Sequence, residues 1–420
     1  MHPKALLDQA AELLRAVLRF DQPADAVVSA YFRKHHALGA RDRHALAETV
    51  YAVLRRRLMF QHLAHDGRGP PERRLVLLGW QGEQRTLDAA TDEAERKWLA
   101  VAAAVDASTL PIKLRHNLPD WLAGALRGQL GDAQLDQLAA ALLQPAPLDL
   151  RVNALKAKRE EVQQTLQSAG LSAAATPYSP WGLRIDGRPA VNAMPSFRAG
   201  LFEVQDEGSQ LLAALVDARR GEMVVDFCAG AGGKTLALGA AMRNTGRLYA
   251  FDTSGHRLHA LKPRVARSGL SNVHTVQIAH ERDERIKRLA GKIDRVLVDV
   301  PCSGLGTLRR NPDLKWRQSP ATVAQLRQQQ QAILAGAATL LKPGGRLVYA
   351  TCSLLALENE DVARTFGEDH AQFESVAAEQ ALAQAHIAQA GELVQDKWFR
   401  LWPHRHHTDG FFAAVWQRKS

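Results

Sequence analysis

The chain has little cysteine and no long apolar run. Its 420 residues include three cysteines, Cys228, Cys302 and Cys352. None sits in a C-x-x-C spacing, which excludes a disulfide framework and a cysteine-rich zinc site, so no metal is expected. Thiols without such pairing suit a reducing compartment, and a cytoplasmic location is expected. No stretch approaches the ~20 apolar residues needed to cross a bilayer, so no membrane partner is expected. The start, Met1-His2-Pro3-Lys4 followed by Asp8 and Glu12, lacks the apolar region of an export signal. Internal repeats and low-complexity tracts are also missing. Charge is not scarce. Lys and Arg outnumber Asp and Glu by 54 to 44, a formal net charge of +10. A basic protein of this kind attracts polyanions, most often nucleic acid; a generally basic soluble surface carries the same charge.

A 46% hydrophobic composition over this length supports two or three cores. Residues 4–65 read as helices. Leu6, Leu7, Ala10, Leu13, Leu14, Val17 and Leu18 recur at helical spacing, and so do Leu46, Val50, Val53, Leu54 and Leu58. Arg41-Asp42-Arg43 precedes the second set, and Arg55-Arg56-Arg57 lies inside it; these arginines form either a solvated face or a phosphate-contacting one. Residues 66–74 read as a loop, and helical patterns resume to about residue 143, with Asp120 a candidate cap after Pro119. Gln144-Pro145-Ala146-Pro147 marks a boundary. Short strands then flank a helix, around 148–153, 182–185 and 201–205. From 206 onward strands and helices alternate, with strands at 223–226, 247–252, 273–278, 295–299, 346–351 and 411–417. The expected architecture is α/β: a doubly wound, parallel, Rossmann-like core over 206–420, a small α/β subdomain over 144–205 and an all-helical domain over 1–143.

The segment Asp226-Phe227-Cys228-Ala229-Gly230-Ala231-Gly232-Gly233-Lys234 falls between a strand and a helix. Glycines there let a ligand approach bare backbone, and the helix start offers unpaired N–H groups. The spacing is neither the dinucleotide fingerprint nor the P-loop. An acidic strand end suits a ligand bearing an amino group, which points to S-adenosylmethionine. Asp252 ends the next strand, where a carboxylate is placed to accept hydrogen bonds from ribose hydroxyls.

Two further strands end in thiols: Asp299-Val300-Pro301-Cys302-Ser303-Gly304 and Ala350-Thr351-Cys352-Ser353. Two of three cysteines on one sheet edge suggest chemistry more than packing. Carbon 5 of cytosine is a poor nucleophile. Thiolate addition to carbon 6 makes it an enamine-like carbon able to attack a methyl sulfonium, after which the carbon 5 proton and the thiol must leave. The attacking thiol must be ionised.

These segments, together with Arg310-Asn311-Pro312-Asp313-Leu314-Lys315-Trp316 and Phe202-Glu203-Val204-Gln205-Asp206-Glu207-Gly208-Ser209-Gln210, resemble the motif set of the RsmB/Sun-type RNA cytosine-5 methyltransferases. The resemblance covers roughly 145–417. Arg41-Asp42-Arg43 and residues 49–57 resemble the NusB-like helical domain of the ribosomal RNA members, which implies that 1–143 binds RNA. It implies that Cys352 is the nucleophile and that Cys302 assists release of the methylated RNA. It places S-adenosylmethionine on Cys228, Ala229, Gly230, Ala231, Gly232, Gly233 and Lys234, with Asp252 at the ribose. Asp299 matches an acidic residue near the methyl and the base, where it would favour cytosine over uracil, and Lys234 would act electrostatically. Three departures stand out. Ala231 replaces a proline, which should loosen the turn. In place of an Asp after the third strand stands Ala279-His280-Glu281-Arg282-Asp283, with His280 the nearest match and Asp283 a substitute. The N-terminal match is loose. The implied partner is RNA, foremost small-subunit ribosomal RNA, methylated by a monomeric enzyme. Transfer RNA, or a non-catalytic role in ribosome assembly, are the alternatives.

Overall fold

The computed structural model describes residues 2–420, which form two compact units. The first comprises residues up to Pro145 together with Thr307–Pro320, and the second Ala146–Gly306 together with Ala321–Ser420.

The first unit is helical, from Pro3–Val17 to Asp132–Leu142. Its first helix buries Leu6, Leu7, Ala10, Leu13, Leu14 and Val17, the stripe legible in the sequence. The loop expected over 66–74 is shorter, because Pro71 opens a helix that runs to Gly79. Asp120 does not cap. It occupies the first helical position after Pro119, and its carboxylate takes Lys113 Nζ at 2.7 Å. The arginine run is not an exposed face either. The helix Ala40–Arg55 ends there and a second one, Arg57–Leu63, begins. Arg55 is buried and donates to the Arg309 carbonyl at 3.1 Å, while the Arg57 guanidinium lies over the rings of Phe20 and Trp316.

Segment 307–320 therefore completes this unit, and its motif residues do so by capping helices. The last carbonyls of a helix lack partners within it. Lys315 Nζ donates to Arg55 O at 2.9 Å and Trp316 Nε1 to Leu54 O at 2.9 Å. Asp313 Oδ2 accepts from Ala24 N, the first residue of helix Ala24–Lys34, at 3.2 Å.

The second unit carries two sheets. Four antiparallel strands, β1 (Leu148–Val152), β2 (Ala173–Ala175), β3 (Gly182–Ile185) and β4 (Phe202–Val204), lie in the order β2-β3-β1-β4. The larger sheet contains β5 (Met223–Asp226), β6 (Arg247–Asp252), β7 (Val273–Gln277), β8 (Ile293–Asp299), β9 (Leu341–Thr351), β10 (Phe373–Val376), β11 (Val394–Gln395), β12 (Trp398–Leu401) and β13 (Phe411–Arg418). Its order is β11-β12-β13-β9-β8-β5-β6-β7, with β10 also on β13. The sheet is mixed, a correction to the all-parallel expectation. β9-β8-β5-β6-β7 are parallel, whereas β13 returns antiparallel to β9 and pairs antiparallel with β10 and β12. The connections from β11 to β12 and from β12 to β13 are too short for the crossover that a parallel neighbour needs.

Alternation sends neighbouring residues to opposite faces, and both faces are covered. Val225, Val296, Val298, Tyr349 and Trp416 pack on one side with Ile333, Leu334 and Phe366 from helices. Val224, Leu297, Val348 and Val415 pack on the other with Leu211, Leu215 and Leu238. The result is a Rossmann-like α/β core with an antiparallel extension.

Burial, with the charges of Arg55 and Arg56 adding to it, pushes the Lys315 ammonium down to about 7. A lysine with a lowered folded value loses its proton earlier in the folded than in the unfolded state. Stability then rises with pH between about 7 and the ordinary lysine value of about 10.4. The melting temperature of the parent, relative to Lys315→Met, is therefore expected to climb from pH 7 to pH 10; a constant difference would show that Lys315 stays charged in the fold.

Candidate active site

The parallel strands end on one edge, and a cavity of about 660 Å³ opens there. Gly230 and Gly232 adopt φ of +56° and +84°, a region favouring glycine. A Cβ on Gly232 would meet Leu261 Cδ1 at 2.0 Å. Gly232 then caps helix Gly233–Ala241.

The turn expected to be loosened by Ala231 is tied at successive residues. Ala229 N donates to Phe251 O at 2.8 Å, and Gly230 N to Asp252 Oδ2 at 2.8 Å. Arg264 Nη1 donates to Ala231 O and Arg151 Nη1 to Gly233 O, each at 2.6 Å. Arg264 is held in turn by Glu203 on β4 at 2.9 Å. Arg151, Glu203 and Arg264 support the turn and were not singled out in the sequence. Their signal is tertiary, since they come from two strands of the small sheet and one distant helix. Burial pushes the Arg151 guanidinium down to about 10, against the charge of Glu203.

Cys228, Ala229, Gly230, Ala231, Gly232, Gly233, Lys234, Asp252, His280, Asp299, Cys302 and Cys352 all line this cavity. Asp226 lines it too. Its Oδ2 accepts from Thr235 Oγ1 at 2.6 Å, while its buried Oδ1 has no hydrogen-bond partner. Burial pushes its carboxyl up to about 7; Thr235 opposes this and the charge of Asp299 adds to it. Asp252 Oδ1 accepts from Ser254 N at 2.7 Å, so this carboxylate shapes the turn as well as facing the cavity. His280 is exposed at the rim, with Nδ1 accepting from Arg282 N at 3.1 Å. Asp283 does not reach the cavity. Its carboxylate accepts from Ala279 N at 2.8 Å and Arg285 N at 2.9 Å, and so is committed to the local turn.

At the other end lie the thiols. Cys302 Sγ and Cys352 Sγ are 3.3 Å apart. The hydrogen bond from Cys352, then burial, then the charges of Cys352 and Glu358, push the Cys302 thiol well up. Burial does the same for Cys228. Lys234 Nζ pairs with Asp299 Oδ2 at 2.6 Å. Burial works against its charge, but the charge and hydrogen bond of Asp299, followed by Cys352 and Asp226, outweigh it and hold the ammonium above its ordinary value. A fixed cation thus acts on Cys352. Among the described residues, no group of three or more His, Cys, Asp or Glu could hold a metal ion, and no helix is long and apolar enough to cross a membrane.

A family described as 16S rRNA methyltransferase RsmB/F matches residues 213–417, and a ferredoxin-like domain described as Methyltr_RsmF/B-like matches 118–192. A protein of Synechocystis sp. named probable ribosomal RNA small subunit methyltransferase B is 34% identical, over 96% of this chain and 97% of its own. The chain belongs to the RsmB/F methyltransferase family. Its Bacillus subtilis relative of the same name is 31% identical, over 72% of this chain and 66% of that protein. The crystal structure of PH0851 superposes with a TM-score of 0.79 at 26% identity, covering 100% of this chain and 99% of that one. RsmB/F proteins of this Sun type are cytosine-5-specific RNA methyltransferases, and the chain is an enzyme of that class.

With Cys302 and Cys228 both pushed up, Cys352 is the thiol expected to react first with iodoacetamide at pH 8. Lys234→Met, which removes the cation paired with Asp299 in the same cavity, should slow that alkylation. Peptide mass spectrometry on a time course reads both; equal rates in the two proteins would remove Lys234 from the electrostatics of Cys352.

Proposed function

We propose that this enzyme transfers a methyl group from S-adenosylmethionine to carbon 5 of a cytosine in small-subunit ribosomal RNA, through a covalent adduct on Cys352. The observation that carries this reading is the pair of thiols 3.3 Å apart in the same cavity as the glycine turn. Methylation at a nitrogen requires no thiol, and a binding protein requires neither. The names of the Synechocystis and Bacillus relatives support ribosomal RNA of the small subunit as the substrate.

The residues present fit S-adenosylmethionine. The unpartnered Asp226 Oδ1 can accept from an amino group, the free lone pairs of Asp252 from a ribose, and the bare backbone of residues 228–233 admits close approach. His280 would stand at the outer rim beside Ile278. When bound, the cofactor supplies an electrophilic methyl on a sulfonium.

The side chains then divide the work. Lys234 and Asp299, an ion pair in the same cavity as the thiols, offer a carboxylate oxygen to the cytosine amino group and an ammonium to the charge that develops there. Cys352 adds to carbon 6, and the C5=C6 electron pair becomes available at carbon 5. Cys302, whose thiol is held protonated at rest, gives its proton to the departing Cys352 sulfur and takes up the carbon 5 proton in its place. The target base must be unstacked or single-stranded, because both attacks come at its face. The helical unit is proposed to dock RNA through exposed residues such as Arg33, Lys34 and Arg41. The enzyme is read as a cytoplasmic monomer.

Cys352→Ala is expected to abolish 5-methylcytosine formation, and Cys302→Ala to accumulate a covalent protein–RNA adduct. Mapping 5-methylcytosine in cells with and without the gene identifies the RNA, and full turnover by Cys352→Ala would sink the mechanism. Charge reversal at Arg33, Lys34 and Arg41 should weaken RNA binding and flatten its salt dependence, by about one unit of slope per lost phosphate contact. An unchanged slope would dismiss that docking face.

A further inference from the structure

Beneath the thiols lies a buried carboxylate that the chemistry above does not use. Glu358 closes a short turn, Ala356–Glu358, seven residues beyond the end of β9, and it is fully buried. Isolated charges are costly to bury, and this one is surrounded by donors. Its Oε1 accepts from Ser303 N at 2.8 Å and Gln330 Nε2 at 2.9 Å. Its Oε2 accepts from Ser303 Oγ and Ser353 Oγ, both at 2.5 Å. Ser303 follows Cys302 and Ser353 follows Cys352. Gln330 Nε2 also holds the Pro301 carbonyl at 3.0 Å, on the other side of Cys302.

We propose that Glu358 is a positioning residue that locks the Cys302 and Cys352 loops to each other. The inference rests on the thiol roles proposed above and adds what holds them. The two loops leave adjacent strands and have no ladder to join them beyond the strand ends. One backbone bond crosses between them, Gly306 N to Cys352 O at 2.8 Å. Glu358 adds a further tie, reaching the residue after each thiol with one carboxylate. All four groups it meets act as donors, so an ionised carboxylate, which only accepts, satisfies every one. A glutamine would place its NH₂ either against the two N–H groups or against the serine hydroxyls. The hydroxyls can rotate to accept, so the glutamine variant keeps the ties, whereas alanine loses them. Ser303 Oγ and Ser353 Oγ also lie 3.2 Å from each other, which closes the network. Glu358 does not itself line the cavity, so its effect on the reaction passes through the thiol loops.

The test compares the parent with Glu358→Ala, Glu358→Gln and the double variant Ser303→Ala/Ser353→Ala. Three measurements are made on the full chain: calorimetric binding of S-adenosylmethionine, single-turnover methyl transfer to an unmodified small-subunit ribosomal RNA transcript, and diamide-driven crosslinking of Cys302 to Cys352. Crosslinking, taken with the pH profile of Cys302 alkylation that reads its ionisation, reports the thiol separation and needs no RNA. Glu358→Ala should lower single turnover by about 100-fold and slow crosslinking, with cofactor affinity held within about twofold. Glu358→Gln should recover to within about tenfold of the parent. Because its charge is gone, Cys302 alkylation should also move to lower pH. If Glu358→Ala fails to fold, the serine double variant, which removes only two hydroxyls, must show the same slowed crosslinking. Crosslinking at the parental rate in the variants that fold, or a glutamine variant no better than alanine, overturns the proposal. Failure of Cys302→Ala to trap an adduct in the parent background would instead overturn the thiol roles, and leaves the crosslinking comparison intact.

Discussion

The cavity depends on two parallel strands that end level with one another. β8 and β9 pair with Asp299 opposite Ala350, so Cys302 and Cys352 emerge a few residues later on one edge. That register is strongly determined because both faces of the sheet are covered. Val296 and Val298 face one core and Leu297 the other, and a slip by one residue would exchange them. Apolar packing far from the chemistry therefore sets the distance between two sulfurs. The serine, glutamine and glutamate network beneath the loops then refines what the strands have roughly placed.

The glycine turn follows the same logic with different means. A turn with two residues at positive φ has few backbone partners of its own. Here its carbonyls are taken by Arg151 and Arg264, and one of its N–H groups by Asp252. Arg151 belongs to the small sheet, and Arg264 is aimed by Glu203 of that sheet. The small sheet thus has a direct part in shaping the cavity. A free thiol pair, a buried unpartnered carboxylate oxygen and an ammonium-carboxylate pair gather within this one enclosure, which is the concentration of perturbed groups expected of a catalytic site.

Much of this was legible along the chain. The strands Met223–Asp226 and Arg247–Asp252 were readable to the residue, because each is an apolar run closed by an acidic strand end. The strand-end residues of the cavity, Asp226, Asp252, Asp299, Cys302 and Cys352, were readable because strand C-termini in a parallel sheet share an edge. Other features were not. The antiparallel return of β13 has no local signature, since a buried strand looks alike in either direction. Arg55-Arg56-Arg57 reads as a surface, yet Arg55 is buried where one helix ends and another begins, against a segment more than 250 residues later in the chain. Asp120 has a cap-like position but pairs with Lys113, and Asp283, the substitute for an acid after the third strand, instead caps the short helix Glu284–Lys287.

The sequence alone determined the kind of chemistry, because the residue types are what react: two thiols, a glycine turn, a lysine and three strand-end carboxylates. It also determined the alternation of strand and helix, through local periodicity. Tertiary structure decided the distances and the protonation. Whether two sulfurs lie close enough to share a hydrogen bond, which thiol is pushed up, and which carboxylate oxygen is left without a partner depend on groups far apart in the chain. Such groups meet only when the core closes, and burial then changes the energy of charge by amounts that no local pattern encodes.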